Sequence, residues 1–148
     1  ELCYNYRMTD LQSALGLSQF ACLDEFVERR NALARRYDRK LADLSLRLPT
    51  VRPENRSAFH LYVTRLCSGK IRKTHREVYE ALRREGVGVN LHYMPVHLQP
   101  YYRNLGFAPD LYPEAERYAQ EAISLPLYPG LTEQQQEHVV QALRKALT

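Results

Sequence analysis

Apolar residues recur at helical spacing almost from the start of the chain: Leu11, Leu15, Leu23, Phe26, Val27, Leu33, Tyr37, Leu41 and Leu44 form one stripe. Such spacing puts side chains on a single face of an α-helix. Thr9 with Gln12 three residues later makes a capping-box pair, so the stripe predicts one long helix, or two in line, beginning there. Gly16 and Ser18 weaken its middle. Pro49 and Pro53 stop any continuation and hand the chain to a polar linker from Asn55 to Ser57.

Beyond the linker the period changes. His60 to Cys67 reads as a strand, and Thr74 with Glu77 caps a helix carrying Val78, Ala81 and Leu82 up to a stop at Gly86. Val87, Val89 and Leu91 then alternate with Gly88, Asn90 and His92, the period of a half-buried strand with one polar face. After Pro95 a short helical stretch covers His97 to Leu105. Pro113 opens a helix with Leu111, Ala115, Tyr118, Ala119 and Ala122 on one side. Ser124 to Tyr128 is a short strand or extended segment, and Thr132 with Gln135 starts a last helix that buries Val139, Val140, Leu143 and Leu147. The expected fold class is α+β: a long N-terminal helix followed by a small sheet covered by helices.

A chain of 148 residues, 45% of them hydrophobic, fits one compact core. It opens on Glu1 rather than Met, with a helix pattern inside the first ten positions, which suggests a portion of a longer polypeptide. No apolar run is long enough to span a bilayer and no signal-peptide order is present, so a soluble, cytoplasmic protein without a membrane partner is expected. Cys3, Cys22 and Cys67 are odd in number and far apart, which fits free thiols better than disulfides or a zinc site. The net charge of +4 is spread among acids along helical faces. Arg65, Lys70, Arg72, Lys73 and Arg76 form a one-sided cluster that would suit a phosphate-bearing ligand, but no nucleic-acid motif accompanies it and no nucleic-acid partner is expected.

Two groups of residues could carry chemistry. Asn5, Tyr6 and Arg7 lie just before the helix start at Thr9, where free N–H groups and the helix dipole favour an anion such as phosphate. Alternatively, Asn5 and Arg7 shape a turn and pair with surface carboxylates. His92, Tyr93, Pro95 and His97 end the polar-faced strand in an irregular segment, where imidazoles can meet hydroxyl, phosphate or carboxylate groups. The plainer reading makes His92 a strand-end polar residue and His97 a helix-start residue. A two-histidine metal site lacks a third ligand at suitable spacing, so no metal is expected. Tyr101, Tyr102, Phe107, Tyr118 and Tyr128 could stack on a base or sugar, or simply pack. With no glycine-rich phosphate loop, nucleophile elbow or HExxH, the chain holds no self-contained catalytic apparatus.

The run Tyr4-Asn5-Tyr6-Arg7-Met8-Thr9-Asp10-Leu11-Gln12, continuing through Ser13 to Gln19, resembles the signature of the DegT/DnrJ/StrS family of nucleotide-sugar aminotransferases, with Cys3 where that family usually has glycine. Leu23-Asp24-Glu25-Phe26 with Arg29-Arg30, His60-Leu61-Tyr62, Gly86 to Val89 followed by His92-Tyr93, and Ser124 to Leu127 with Leu131-Thr132 resemble the rest of its C-terminal part in order. The resemblance implies the C-terminal small domain of a fold-type-I aminotransferase dependent on pyridoxal 5'-phosphate. Residues 1–48 would be an interdomain and dimer-contacting helical segment, and residues 49–148 the small α+β domain.

By that resemblance the Schiff-base lysine lies upstream of Glu1, and no catalytic residue is expected in the chain. Lys40, Lys70, Lys73 and Lys145 fall on polar faces or loops. The family's asparagine reaches the partner subunit's cofactor phosphate, a role falling on Asn5 with Arg7 in support, and His92, Tyr93 and His97 would contact or shape the nucleotide-sugar pocket. The intact protein would be a homodimer that moves an amino group, commonly from glutamate, to a sugar ketone. The run His92 to Tyr102 is most similar to members that aminate a UDP-linked 4-keto-6-deoxy-N-acetylhexosamine on the pseudaminic acid route, the UDP-4-amino-4,6-dideoxy-N-acetyl-β-L-altrosamine transaminases. Alone, this portion should be inactive. A non-catalytic sugar-nucleotide-binding module and a dimerisation module are the competing readings.

Overall fold

A computed structural model of the chain describes residues 6–67 and 69–148. In chain order its elements are α1 (Asp10–Phe20), α2 (Leu23–Leu41), β1 (Leu46–Arg47), β2 (Tyr62–Leu66), α3 (His75–Arg84), a 3-10 turn (Val96–Leu98), α4 (Pro100–Asn104), α5 (Pro113–Glu121), β3 (Ala122–Leu125) and α6 (Glu133–Leu147). The three strands form one antiparallel sheet in the order β1-β2-β3, with Leu46 opposite Leu66 and Tyr62 opposite Leu125. The α+β expectation holds.

Three helices begin where sequence places them, because each capping box closes in full. Thr9 with Gln12, Thr74 with Glu77 and Thr132 with Gln135 each satisfy two N–H groups reciprocally. The first stripe splits into two helices, at Ala21 and Cys22 rather than at Gly16 or Ser18. Ser18 Oγ donates to the Leu15 carbonyl at 2.8 Å, which keeps its side chain on its own helix, and beside Gly16 a Cβ would meet only Met8 Cε, at 3.9 Å. The break comes where Cys22 N–H turns to the Gln19 carbonyl at 3.1 Å, and Asp24 and Glu25 then supply negative charge for the first turn of α2.

β2 directs Tyr62, Thr64 and Leu66 into a core shared with Leu33, Tyr37 and Leu41 of α2, Val78 and Leu82 of α3, and Val139, Val140 and Leu143 of α6. Burying each large side chain contributes about 1.5–3 kcal/mol. Polar bonds fix how the helices sit. Gln136 Nε2 donates to the Leu33 carbonyl at 2.8 Å, and Arg29 Nη2 to that of Leu131 at 2.9 Å. α2 is therefore packed into the same core as the residues beyond 49. On the other face of β2, Arg65 Nε and Nη2 donate to one oxygen of Glu121 at 3.0 and 2.7 Å and the guanidinium lies 5.4 Å from the Tyr118 ring centre.

Several expectations change. Val87 to Leu91 is not a regular strand: Val87 and Val89 are buried and Gly88 and Asn90 exposed as the alternation requires, yet among the described residues its only pairing is an isolated bridge from Asn90 to Ser124. Leu91 is exposed and the chain turns away directly after it. β3 starts at Ala122, immediately after α5, so Ala122 belongs to the sheet and not to the helix. The expected apolar side of α5 is largely exposed, Leu111 and Tyr118 included. Its buried residue is Glu121, held by Arg65.

Candidate functional site

Two surfaces collect the candidate residues. At the first, Tyr6, Arg7, Met8, Gln12, Leu15 and Gly16 line an open groove at the start of α1. Arg7 is exposed there, one position from the cap residue's neighbour Met8, and its cation offsets the like charge that Asp10 would present to an anion in the first turn. Asn5 lies outside the described residues. No residue of α1 is buried, and Met8, Leu11, Leu15, Leu17 and Phe20 are all exposed.

The second surface follows the Asn90 bridge. Asn90 and Ser124 exchange both backbone bonds, at 3.3 and 2.9 Å, so β3 fixes where the turn begins. The His92-Tyr93 peptide is cis. The His92 ring is half-buried, edge-on to Tyr93 with centroids 4.7 Å apart, and both its nitrogens are shielded without a hydrogen-bond partner among the described residues. Tyr93 stands 75% exposed. A phenol can both donate and accept, so the exposed Tyr93 hydroxyl can meet a sugar hydroxyl, whereas the two His92 nitrogens are shielded as they stand.

His97 faces the other way. Only 6% exposed, it meets Glu116 Oε1 through Nε2 at 2.7 Å, and the Tyr112 ring packs at 4.9 Å from it. The same Glu116 oxygen accepts the Asp110 N–H at 2.8 Å. Chiefly the His97 bond, aided by Asp110, holds the Glu116 carboxyl below the usual range, with partial burial opposing. Of the three residues read as sugar contacts, His92 and Tyr93 are together at the turn, while His97 is an inward anchor. Sequence reasoning missed Asp110, Tyr112 and Glu116, because nothing in their spacing marks a partner nineteen residues from His97.

The lysines provide a test of how a cofactor would be held. Lys40 pairs with Glu137 at 3.0 Å, Lys145 with Glu85, and none of Lys40, Lys70, Lys73 and Lys145 is buried. None has the desolvated setting that makes an amine nucleophilic near neutrality. The residues present thus fit contact with an anionic group at α1 but not covalent anchoring. Among the described residues no helix is long and apolar enough to cross a membrane.

The family model described as "DegT/DnrJ/EryC1/StrS aminotransferase family" matches residues 1–144. The chain belongs to this family. It is similar to the spore coat polysaccharide biosynthesis protein SpsC of Bacillus subtilis, being 37% identical over 144 residues that make up 95% of this chain and 37% of that protein. Among solved family structures it superposes on the aminotransferase PseC of Helicobacter pylori, involved in pseudaminic acid biosynthesis, with a TM-score of 0.87 and 26% identity over 99% of this chain and 39% of that one. It also superposes on DesV of S. venezuelae, with a TM-score of 0.84 and 33% identity over 94% and 36% of the two chains. The Streptococcus pneumoniae protein described as "Putative sugar aminotransferase Spr1654", in its PMP form, gives 0.87 and 29% over 95% and 35%. The chain spans little more than a third of the length of the relatives it matches.

Proposed function

We propose that this chain is the C-terminal small domain of a pyridoxal-phosphate-dependent sugar aminotransferase whose cofactor-anchoring lysine lies upstream. The observation that carries the reading is the fit of nearly the whole chain to one part of sugar aminotransferases, 94% of it on a third of DesV and 99% on two fifths of PseC. That none of the four lysines is buried supports placing the anchoring residue elsewhere. When bound, the cofactor would supply the electron sink for amino transfer.

The chain's own residues would bind and orient. Asn5 and Arg7, which precede α1 in the sequence, would hold the cofactor phosphate of the partner subunit in a homodimer, and the apolar side of α1 would meet that partner. His92 and Tyr93 would contact the sugar, with His97 shaping the segment that carries them. Residues 1–48 would act as the interdomain and dimer-contacting segment and 49–148 as the small domain, although α2 shares that domain's core. The amino donor is glutamate and the acceptor a UDP-linked 4-keto-6-deoxy-N-acetylhexosamine. The setting is cytoplasmic polysaccharide or pseudaminic acid biosynthesis, and this portion alone is inactive.

The test is amino transfer by the polypeptide that continues upstream of Glu1. Supplied with pyridoxal phosphate, glutamate and UDP-, GDP- or dTDP-linked 4-keto sugars, it should release 2-oxoglutarate and an amino sugar, fastest with the UDP-linked one. Faster turnover of another nucleotide sugar would correct the substrate. No 2-oxoglutarate with any of them, alongside sugar-nucleotide binding, would favour the non-catalytic module instead.

A further inference from the structure

We infer that Glu116 is a positioning residue for the sugar end of the proposed site, acting as the clasp that fixes the segment after His92-Tyr93; the inference rests on the reading just given. One carboxylate oxygen gathers two parts of the chain that are separate in sequence from α5. It accepts His97 Nε2 from the 3-10 turn at 2.7 Å and the Asp110 N–H from the loop before α5 at 2.8 Å. The Tyr112 ring closes the cluster against His97. The His97 side chain is 6% and that of Glu116 13% exposed, so water competes poorly for the bond between them, while the Asp110 bond lies at the exposed edge of the cluster. Because a carboxylate only accepts, His97 carries its proton on Nε2, whether the ring is neutral or charged.

Little else holds this excursion. Tyr93, Met94, Val96, Tyr101, Leu105 and Leu111 are all exposed, and α4 buries no residue. The turn bearing Tyr93 is anchored on one side by the Asn90 to Ser124 bridge and on the other by His97. Asp110, the fixed point of the loop that donates to Glu116, sits at φ 66°, a left-handed conformation that costs a non-glycine residue energy and that the bond from its N–H to Glu116 helps to hold. Glu116 thus reaches the sugar site only through the backbone it ties down.

The experiment compares Glu116→Ala, Glu116→Gln and, as a control on the same helix, Glu114→Gln in the protein that includes the upstream part. Glu114 is an exposed partner of Arg117. Glu116→Ala should raise the sugar KM about tenfold or more while leaving the glutamate half-reaction within about twofold of the parent, as expected when displacement of a binding group spares a step that does not use it. Amide hydrogen exchange should speed up over residues 96–112. Glu116→Gln keeps an oxygen that can accept both bonds and should restore most of the sugar KM, and Glu114→Gln should match the parent.

An unchanged sugar KM in Glu116→Ala would overturn the inference, as would equal loss of both half-reactions with exchange raised throughout the domain. If the parent transfers no amino group, the functional reading fails by itself. The exchange pattern then decides the clasp: faster exchange confined to 96–112 supports it and an unchanged pattern refutes it.

Discussion

Raising the pH through the tyrosine range should destabilise this fold through two side chains. Tyr37 and Tyr62 are both 0% exposed, with ring centroids 4.9 Å apart. The Tyr37 hydroxyl donates to the Pro126 carbonyl at 3.0 Å and that of Tyr62 to Asp38 Oδ1 at 2.6 Å. Burial raises both above their ordinary value of 10.0, with nearby Tyr128 adding to Tyr37 and the Asp38 hydrogen bond and charge adding to Tyr62. The unfolded chain would release these protons near pH 10 while the folded chain retains them. Stability is therefore complete below about pH 10 and falls as pH rises toward the folded values, by about 1.4 kcal/mol per pH unit for each tyrosine and about 2.7 kcal/mol for both.

Urea unfolding at steps from about pH 9 to about pH 11.5 measures this slope in the parent and in the Tyr37→Phe, Tyr62→Phe and double variants. Each variant starts less stable, since it loses a buried hydrogen bond, but the slope is what matters. Lysines discharge in the same range, weakening pairs such as Lys40 with Glu137, yet they do so equally in every variant and cancel in the comparison. A double variant whose slope differs from the parent's by less than about 0.5 kcal/mol per pH unit would refute the argument.

Leu82, fully buried where α3 meets α6, should cost about 2–5 kcal/mol when replaced by Ala, read as a lower urea midpoint at unchanged m. Glu137 is lowered from 4.5 to about 2, chiefly by the Gln141 hydrogen bond and then by Lys40 and Arg36. Its contribution is complete above about pH 4.5 and lost as pH falls toward 2, so parent and Glu137→Gln should converge in stability across that window, and parallel curves would contradict it. Leu15→Glu on α1 should leave unfolding of this unit within about 0.5 kcal/mol, because Leu15 is exposed, while abolishing dimer sedimentation of the longer protein if α1 is the partner contact.

Helix starts were the most legible feature of this sequence, because a capping box is local: Thr9, Thr74 and Thr132 find their partners three residues away. Burial was legible where alternation met a covering layer, as at Val87 and Val89, but pairing was not. A strand also needs a neighbour, and only Asn90 finds one. β1 has two residues, too few for any period to show. On α1 and α5 the apolar stripes are real, yet Leu11, Leu15 and Tyr118 remain exposed here, since a pattern says that a face is apolar and not what covers it. His97 and Glu116 illustrate the limit at the site. The irregular segment pointed to His92, Tyr93 and His97 alike, and only the fold separates the outward phenol of Tyr93 from the inward imidazole of His97.

The central claim is most directly tested by titrating pyridoxal phosphate into this chain and, separately, into the polypeptide extended upstream, while following the visible absorbance of lysine-bound cofactor. The account predicts that only the extended protein acquires the band, resists its removal by dialysis and loses it on adding glutamate. A band on this chain alone would contradict the placement of the anchoring lysine upstream, and no band on either would remove the aminotransferase reading itself.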